Sequence, residues 1–164
     1  MSNNIYEPPQ SNVTPPTGPG KGNSGRAIPL TLIFDYGVTH LLTFIVAAFI
    51  TSFYMSQGKS LEDITAIFEA AGLFSSINIL FLAVGLSVSF ISGYMCAKWS
   101  VKNVWRDIVI VMVISQVIET FLYWDRLSFG EYMFLTVLDT TAMVLGVNRW
   151  IKQHKKYWNK PDLH

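Results

Sequence analysis

The sequence predicts an all-α fold of the polytopic membrane class: four transmembrane helices with both termini cytoplasmic, plus a short amphipathic helix on the outer surface. Three observations lead there. Apolar residues make up 51% of the 164-residue chain and charged residues 14%, too few ion-pairing groups to coat a soluble domain. Four apolar segments approach or exceed the ~20 residues that a helix needs to cross a ~30 Å hydrocarbon core. Lys and Arg, finally, fall almost entirely on one side of those segments, an asymmetry hidden by the formal net charge of +1.

Residues 1–28 read as a cytoplasmic tail. Pro8-Pro9 and Pro15-Pro16 alternate with Gly18, Gly20, Gly22 and Gly25 without apolar periodicity, which predicts a disordered, partly polyproline-like chain. No apolar core of signal-peptide length follows a basic start. The opening Asn4-Ile5-Tyr6-Glu7-Pro8-Pro9-Gln10 resembles the Asn-x-Tyr-x-Pro-Pro start of small uncharacterised four-span proteins of the bacterial inner membrane. That resemblance implies a bacterial inner (plasma) membrane location and no particular activity.

The transmembrane domain is expected over 29–151, with spans at 30–54, 77–97, 105–124 and 133–150. Span one is interrupted by Asp35 and His40. After it, Ser60-Leu61-Glu62-Asp63 is a capping box ahead of Ile64, Ile67, Phe68 and Ala71 at helical spacing, with Gly72 as a stop. A surface helix over Leu61 to Ala71 follows from that pattern. In span two, Gly85, Ser89, Gly93 and Ala97 recur every four residues, and Ser92 and Cys96 widen the stripe. Small residues at this spacing let helix backbones approach in lipid, so span two is placed centrally, with Ala142 and Gly146 doing the same on span four. A dimer interface competes for the same face. The run Ser92-Gly93-Tyr94-Met95-Cys96-Ala97-Lys98 is similar to the Gly-Gly-Tyr-x-Ala-x-Arg ending of a span in small bacterial four-span families, with Ser92 and Lys98 as departures; it implies packing and orientation only. Spans three and four, joined by the short loop Asp125 to Tyr132, are expected to form an antiparallel hairpin. Tyr54, Trp99, Trp105, Trp124, Tyr132 and Trp150 stand at segment ends, where amphipathic rings settle.

Orientation follows from the basic residues. Lys21, Arg26, Lys98, Lys102, Arg106, Arg149, Lys152, Lys155, Lys156 and Lys160 lie on one side and only Lys59 and Arg126 on the other, which places both termini in the cytoplasm. The basic tail 152–164 beside a span is expected to hold anionic lipid, at about 1 kcal/mol per basic residue. Topology accounts for these charges, so no nucleic-acid partner is expected.

No catalytic, cofactor or metal motif is present: there is no His-Glu-x-x-His, Gly-x-Ser-x-Gly, phosphate-binding glycine loop or Cys-x-x-Cys, and His40, His154 and His164 are not at ligand spacing. With Cys96 as the single cysteine, no intrachain disulfide can form. What remains is a polar set inside the apolar segments. Ser115, Gln116, Glu119, Thr120 and Tyr123 share one face of span three; Thr136, Asp139 and Thr140 stand on span four. Counted from Trp124 and Tyr132, Glu119 lies about 7–8 Å deep and Asp139 about 10 Å, so the two are expected to form one site. Asp35 is placed near the cytoplasmic end of span one and His40 near mid-membrane. Two carboxylates in contact cannot both ionise cheaply, which is the condition for a proton-coupled site, and a chain through Glu119, Asp139 and His40 would resemble a transporter relay. The competing role is interhelical hydrogen-bond glue. The expected function is therefore a non-catalytic accessory, assembly or immunity-type subunit whose partners are the lipid bilayer and a second copy or another membrane protein. The alternative is a proton-coupled small transporter or channel component using Glu119 and Asp139.

Overall fold

In the computed structural model the described residues, 22–100, 103–123 and 127–158, form five α-helices and no strand. They are α1 (Ser24–Ser56), α2 (Leu61–Ala70), α3 (Ser76–Ser100), α4 (Val104–Tyr123) and α5 (Phe129–Trp158). The expectations for residues 1–21 and 159–164, and for Lys102 and the loop at 124–126, lie outside the described residues.

Local capping explains where the boundaries depart from the expected ones. α1 begins at Ser24, not Leu30, because Asn23 caps it: its side chain accepts from the Gly25 amide at 2.9 Å, while its own amide donates to the Trp99 carbonyl at 3.2 Å. Pro29 is carried inside the helix near its start. α2 has the expected capping box, closed from both sides. The Ser60 hydroxyl accepts from the Asp63 amide at 3.2 Å, and the Asp63 carboxylate accepts from the Ser60 hydroxyl at 2.7 Å and amide at 3.1 Å. Those donors, the hydroxyl first, hold the Asp63 carboxyl below its usual range. α2 stops one residue early, at Ala70, and buries Ile64. A second box, unremarked in the sequence, starts α5 at Phe129 instead of Met133. The Ser128 hydroxyl accepts from the Glu131 amide at 3.4 Å, and Glu131 accepts from the Ser128 hydroxyl at 2.7 Å and amide at 3.0 Å. α5 also continues past Trp150 to Trp158, with a backbone irregularity at His154, whose ring stacks on the buried Trp150 at 4.7 Å.

α1 and α4 start, and α3 and α5 finish, at the same end of the bundle. Arg106 donates to the Ser24 hydroxyl there at 2.8 Å, and the Tyr94 hydroxyl donates to Gln153 at 3.0 Å. Arg26, Lys98, Arg106, Arg149 and Lys152 gather at this basic end. α3 is central, packing most extensively on α5, next on α1, and also on α4. The α3–α5 crossing is made by two glycines. A Cβ on Gly93 would run into the Met143 carbonyl, and one on Gly146 into the Phe90 carbonyl. Gly85, expected on the same packing face, has open space around it, so the stripe is used only from Ser89 to Ala97.

α4 and α5 run antiparallel and meet, as the expected hairpin requires. The principal neighbour of α5 is nonetheless α3, because α4 has neither glycine nor alanine to let a backbone approach. The core lies toward the basic end: Cys96, Ala97, Val104, Ile108, Val111, Met143, Val147 and Trp150 are buried together, with Ile28 and Leu32 against them. Toward the far end, large apolar side chains such as Phe44, Phe49, Phe53, Val117 and Phe121 point outward. Two helices, α1 and α3, are long and apolar enough to cross a membrane. α4 carries Arg106, Asp107 and Glu119, and α5 carries Glu131, Asp139, Arg149 and Lys152.

Candidate functional site

α3 presents two serine hydroxyls one turn apart, and each meets a carboxylate from a different helix. Ser92, fully buried, donates to Asp35 of α1 at 2.7 Å, and Asp35 itself is 7% exposed. Ser89 donates to Asp139 of α5. The i, i+3 spacing of the two serines is what lets one helix face serve two neighbours.

α4 brings the third acid. Gln116 donates to Glu119 at 3.4 Å and, with its carbonyl oxygen, accepts from the hydroxyls of Tyr132 at 3.1 Å and Thr136 at 2.9 Å on α5. Tyr132 also shares a hydrogen bond of 2.7 Å with Thr120. This small network ties the far ends of α4 and α5 together around the Gln116 amide.

The three carboxylates lie within Coulombic reach: Asp139 and Asp35 act on Glu119, and Asp139 acts on Asp35. Tyr36 feels all three and donates its hydroxyl to the Ser115 carbonyl at 3.1 Å, joining α1 to α4. No described lysine or arginine contributes to the electrostatics of any of the three. Among the described residues no group of three or more His, Cys, Asp or Glu side chains is placed to hold a metal ion. The acids are close enough to repel one another.

Of the residues singled out in the sequence, Glu119, Asp139, Gln116 and Asp35 are brought together. Asp35 lies 11 residues into α1, about 16 Å along the axis from Ser24, and is buried. His40 stands apart: it is exposed, its Nδ1 lies 2.8 Å from the Tyr36 carbonyl one turn back, and its ring tilts against Tyr36 at 6.3 Å. Ser89, read from the sequence as packing, is also a carboxylate ligand.

Asp107 was not among the expected site residues. It is fully buried near the start of α4; one oxygen accepts from Arg106 Nε and Nη2, both at 3.0 Å, and the other has no partner. Its position among Val104, Ile108, Val111 and Ser115 on one face of α4 was the available signal, because an acid on a buried stripe differs from an acid that merely complements a helix start. The Ser115 hydroxyl, 1% exposed, is likewise without a partner. Comparisons with protein-family models, with curated proteins and with solved structures return no match.

Proposed function

We propose that this chain is a four-span protein of the bacterial inner membrane, both termini cytoplasmic, in which Asp35, Glu119 and Asp139 form the proton-binding site of a proton-coupled transporter or channel component. The span assignment rests on dimensions and charge. α4, at 20 residues, covers about 30 Å, and the basic end gathers the residues that the cytoplasm retains. Phe44, Phe49, Phe53 and Phe121 face outward in a manner that lipid tolerates and water does not.

One observation carries the functional reading: three helices each deliver a carboxylate to one place, with no described basic side chain to neutralise them. As glue this is a poor arrangement. Interhelical polar contacts in membranes average about 0.6 kcal/mol, which neutral side chains supply as well, whereas each buried ion costs several kcal/mol. As a proton store it is economical, since sharing protons among the acids removes their repulsion.

Full-length protein reconstituted in vesicles with a trapped pH-sensitive dye and an imposed proton gradient tests this. Wild type is expected to pass protons and the Glu119→Gln, Asp139→Asn pair to block them with the fold intact. Equal rates for the two would remove the proposal.

A second reading, a non-catalytic accessory or assembly subunit, draws support from α1, whose most apolar stretch buries little against the rest of the chain and exposes Leu41, Phe44, Phe49 and Phe53. Capture of one defined membrane protein by wild type and by the carboxylate variants alike, with no flux in either, would favour it.

A further inference from the structure

Each acid of the cluster has one hydrogen-bonding side chain beside it among the described residues: Ser92 for Asp35, Gln116 for Glu119 and Ser89 for Asp139. A carboxylate only accepts, whereas a carboxylic acid must also place its own hydrogen. The three partners differ in whether they can serve both forms.

Ser92, fully buried on α3, makes one hydrogen bond among the described residues, to Asp35 Oδ1 at 2.7 Å. Its hydroxyl carries a single hydrogen, and Asp35 holds it. A proton on either oxygen of Asp35 would leave one O–H, the acid's or the serine's, without an acceptor among the described residues. Glu119 is met by the Gln116 nitrogen at 3.4 Å, which donates and has no lone pair to accept with. The Gln116 oxygen is turned toward α5 instead, where it accepts from Thr136 at 2.9 Å.

Ser89 is placed differently. Its hydroxyl meets Asp139 Oδ1 and also lies 3.1 Å from the Gly85 carbonyl, one turn back on α3. A carbonyl oxygen has two lone pairs and so can take a hydroxyl hydrogen as well as its helix partner's. With Asp139 ionised, the Ser89 hydrogen goes to the carboxylate. With Asp139 protonated, the acid O–H donates to Ser89 Oγ and the serine hydrogen goes to Gly85. Both forms keep every donor paired. The titratable groups facing Asp139 are Asp35 and Tyr36 of α1 and Glu119 of α4, while α3 brings the Ser89 hydroxyl. Tyr36 gives its hydrogen to the Ser115 carbonyl, so it supplies none to the acids.

We infer that Asp139 takes the first proton that enters the cluster, with Ser89 as the positioning residue that accommodates it, while Ser92 and Gln116 hold Asp35 and Glu119 as carboxylates. This rests on the proton-binding role proposed above. On uptake one O–H bond forms on Asp139, the Ser89 hydroxyl turns from the carboxylate to the Gly85 carbonyl, and no other covalent bond changes. The proton removes the repulsion between Asp139 and both other acids, which take up theirs at lower pH.

Infrared difference spectra of the full-length protein, recorded as the pH is lowered stepwise from alkaline, test this. The first carboxylic-acid carbonyl band to appear is expected to move to lower frequency in protein made with aspartate carrying heavy carbon in its side-chain carboxyl, and to stay in place with glutamate labelled likewise. Labelling changes no contact, so this arm needs no variant. Asp139→Asn is expected to abolish the band at the pH where it first appears in wild type, and Ser89→Ala to displace its frequency. A first band that moves with labelled glutamate, survives unchanged in folded Asp139→Asn, or keeps its frequency in folded Ser89→Ala would overturn the inference and leave the cluster standing. No titrating band in any sample would overturn both.

Discussion

Gly93 and Gly146 are the positions where a single methyl group decides whether α3 and α5 meet, since an added Cβ at either collides with backbone that has no rotamer to change. Gly146→Ala is therefore expected to destabilise the fold by about 1–3 kcal/mol, read from unfolding in detergent. Gly85→Ala, with open space around it, is expected to be neutral or slightly stabilising, because alanine is the better helix former. Four-residue spacing marked both kinds of glycine alike, because a periodic stripe does not say how far along it the neighbour stays close. Ser92→Ala gives a measure of the glue: about 0.6 kcal/mol is expected, with the bundle retained. A collapse of the fold on that change would show that the serine–carboxylate contacts hold the helices together.

At the scale of elements, the capping boxes set helix starts and make them acid-sensitive. The Ser60 and Ser128 donors hold Asp63 and Glu131 below their ordinary values of 3.8 and 4.5. A carboxyl with a lowered folded pKa contributes in full above its ordinary value and loses that contribution as pH falls through the lowered one. The first-turn amides of α2 and α5 are expected to lose hydrogen-exchange protection, relative to their intrinsic rates, in strong acid, and Ser60→Ala and Ser128→Ala to bring the same loss of protection at neutral pH. The box at Ser60 was legible because an amphipathic run follows it; the one at Ser128 has the same spacing but precedes Gly130 and an apolar run already read as a span. The α1 start was illegible for a related reason. Gly22, Gly25 and Pro29 look like tail composition, while the Asn23 cap that overrides them is completed by the Trp99 carbonyl, remote in sequence.

For the molecule as a whole, the all-α class and the central place of α3 were readable from apolar segments and small-residue spacing. The third acid was not. Glu119 and Asp139 could be matched by counting from aromatic ends, whereas the same count for Asp35 depended on the start of α1, and its partner Ser92 comes from a helix with which it shares no sequence pattern. Asp107 was missed because the sequence shows a salt-bridging neighbour, Arg106, but not that the acid beneath it is sealed from solvent.

The proposed topology is tested with single cysteines, Cys96 being buried and so a quiet background. A cysteine replacing Ser128 is expected to react with an impermeant reagent from outside intact cells, and one replacing Gln153 only after the membrane is opened. The reverse pattern would overturn the orientation.

If Asp35, Glu119 and Asp139 share protons, infrared difference spectroscopy between acidic and alkaline buffer reports it at the carboxyl groups themselves. Wild type is expected to show a carboxylic-acid carbonyl band that titrates, and Asp35→Asn, Glu119→Gln and Asp139→Asn each to remove part of it. A band that does not change with pH, or that none of the three substitutions diminishes, would contradict a proton-binding cluster and leave these acids as silent contacts between helices.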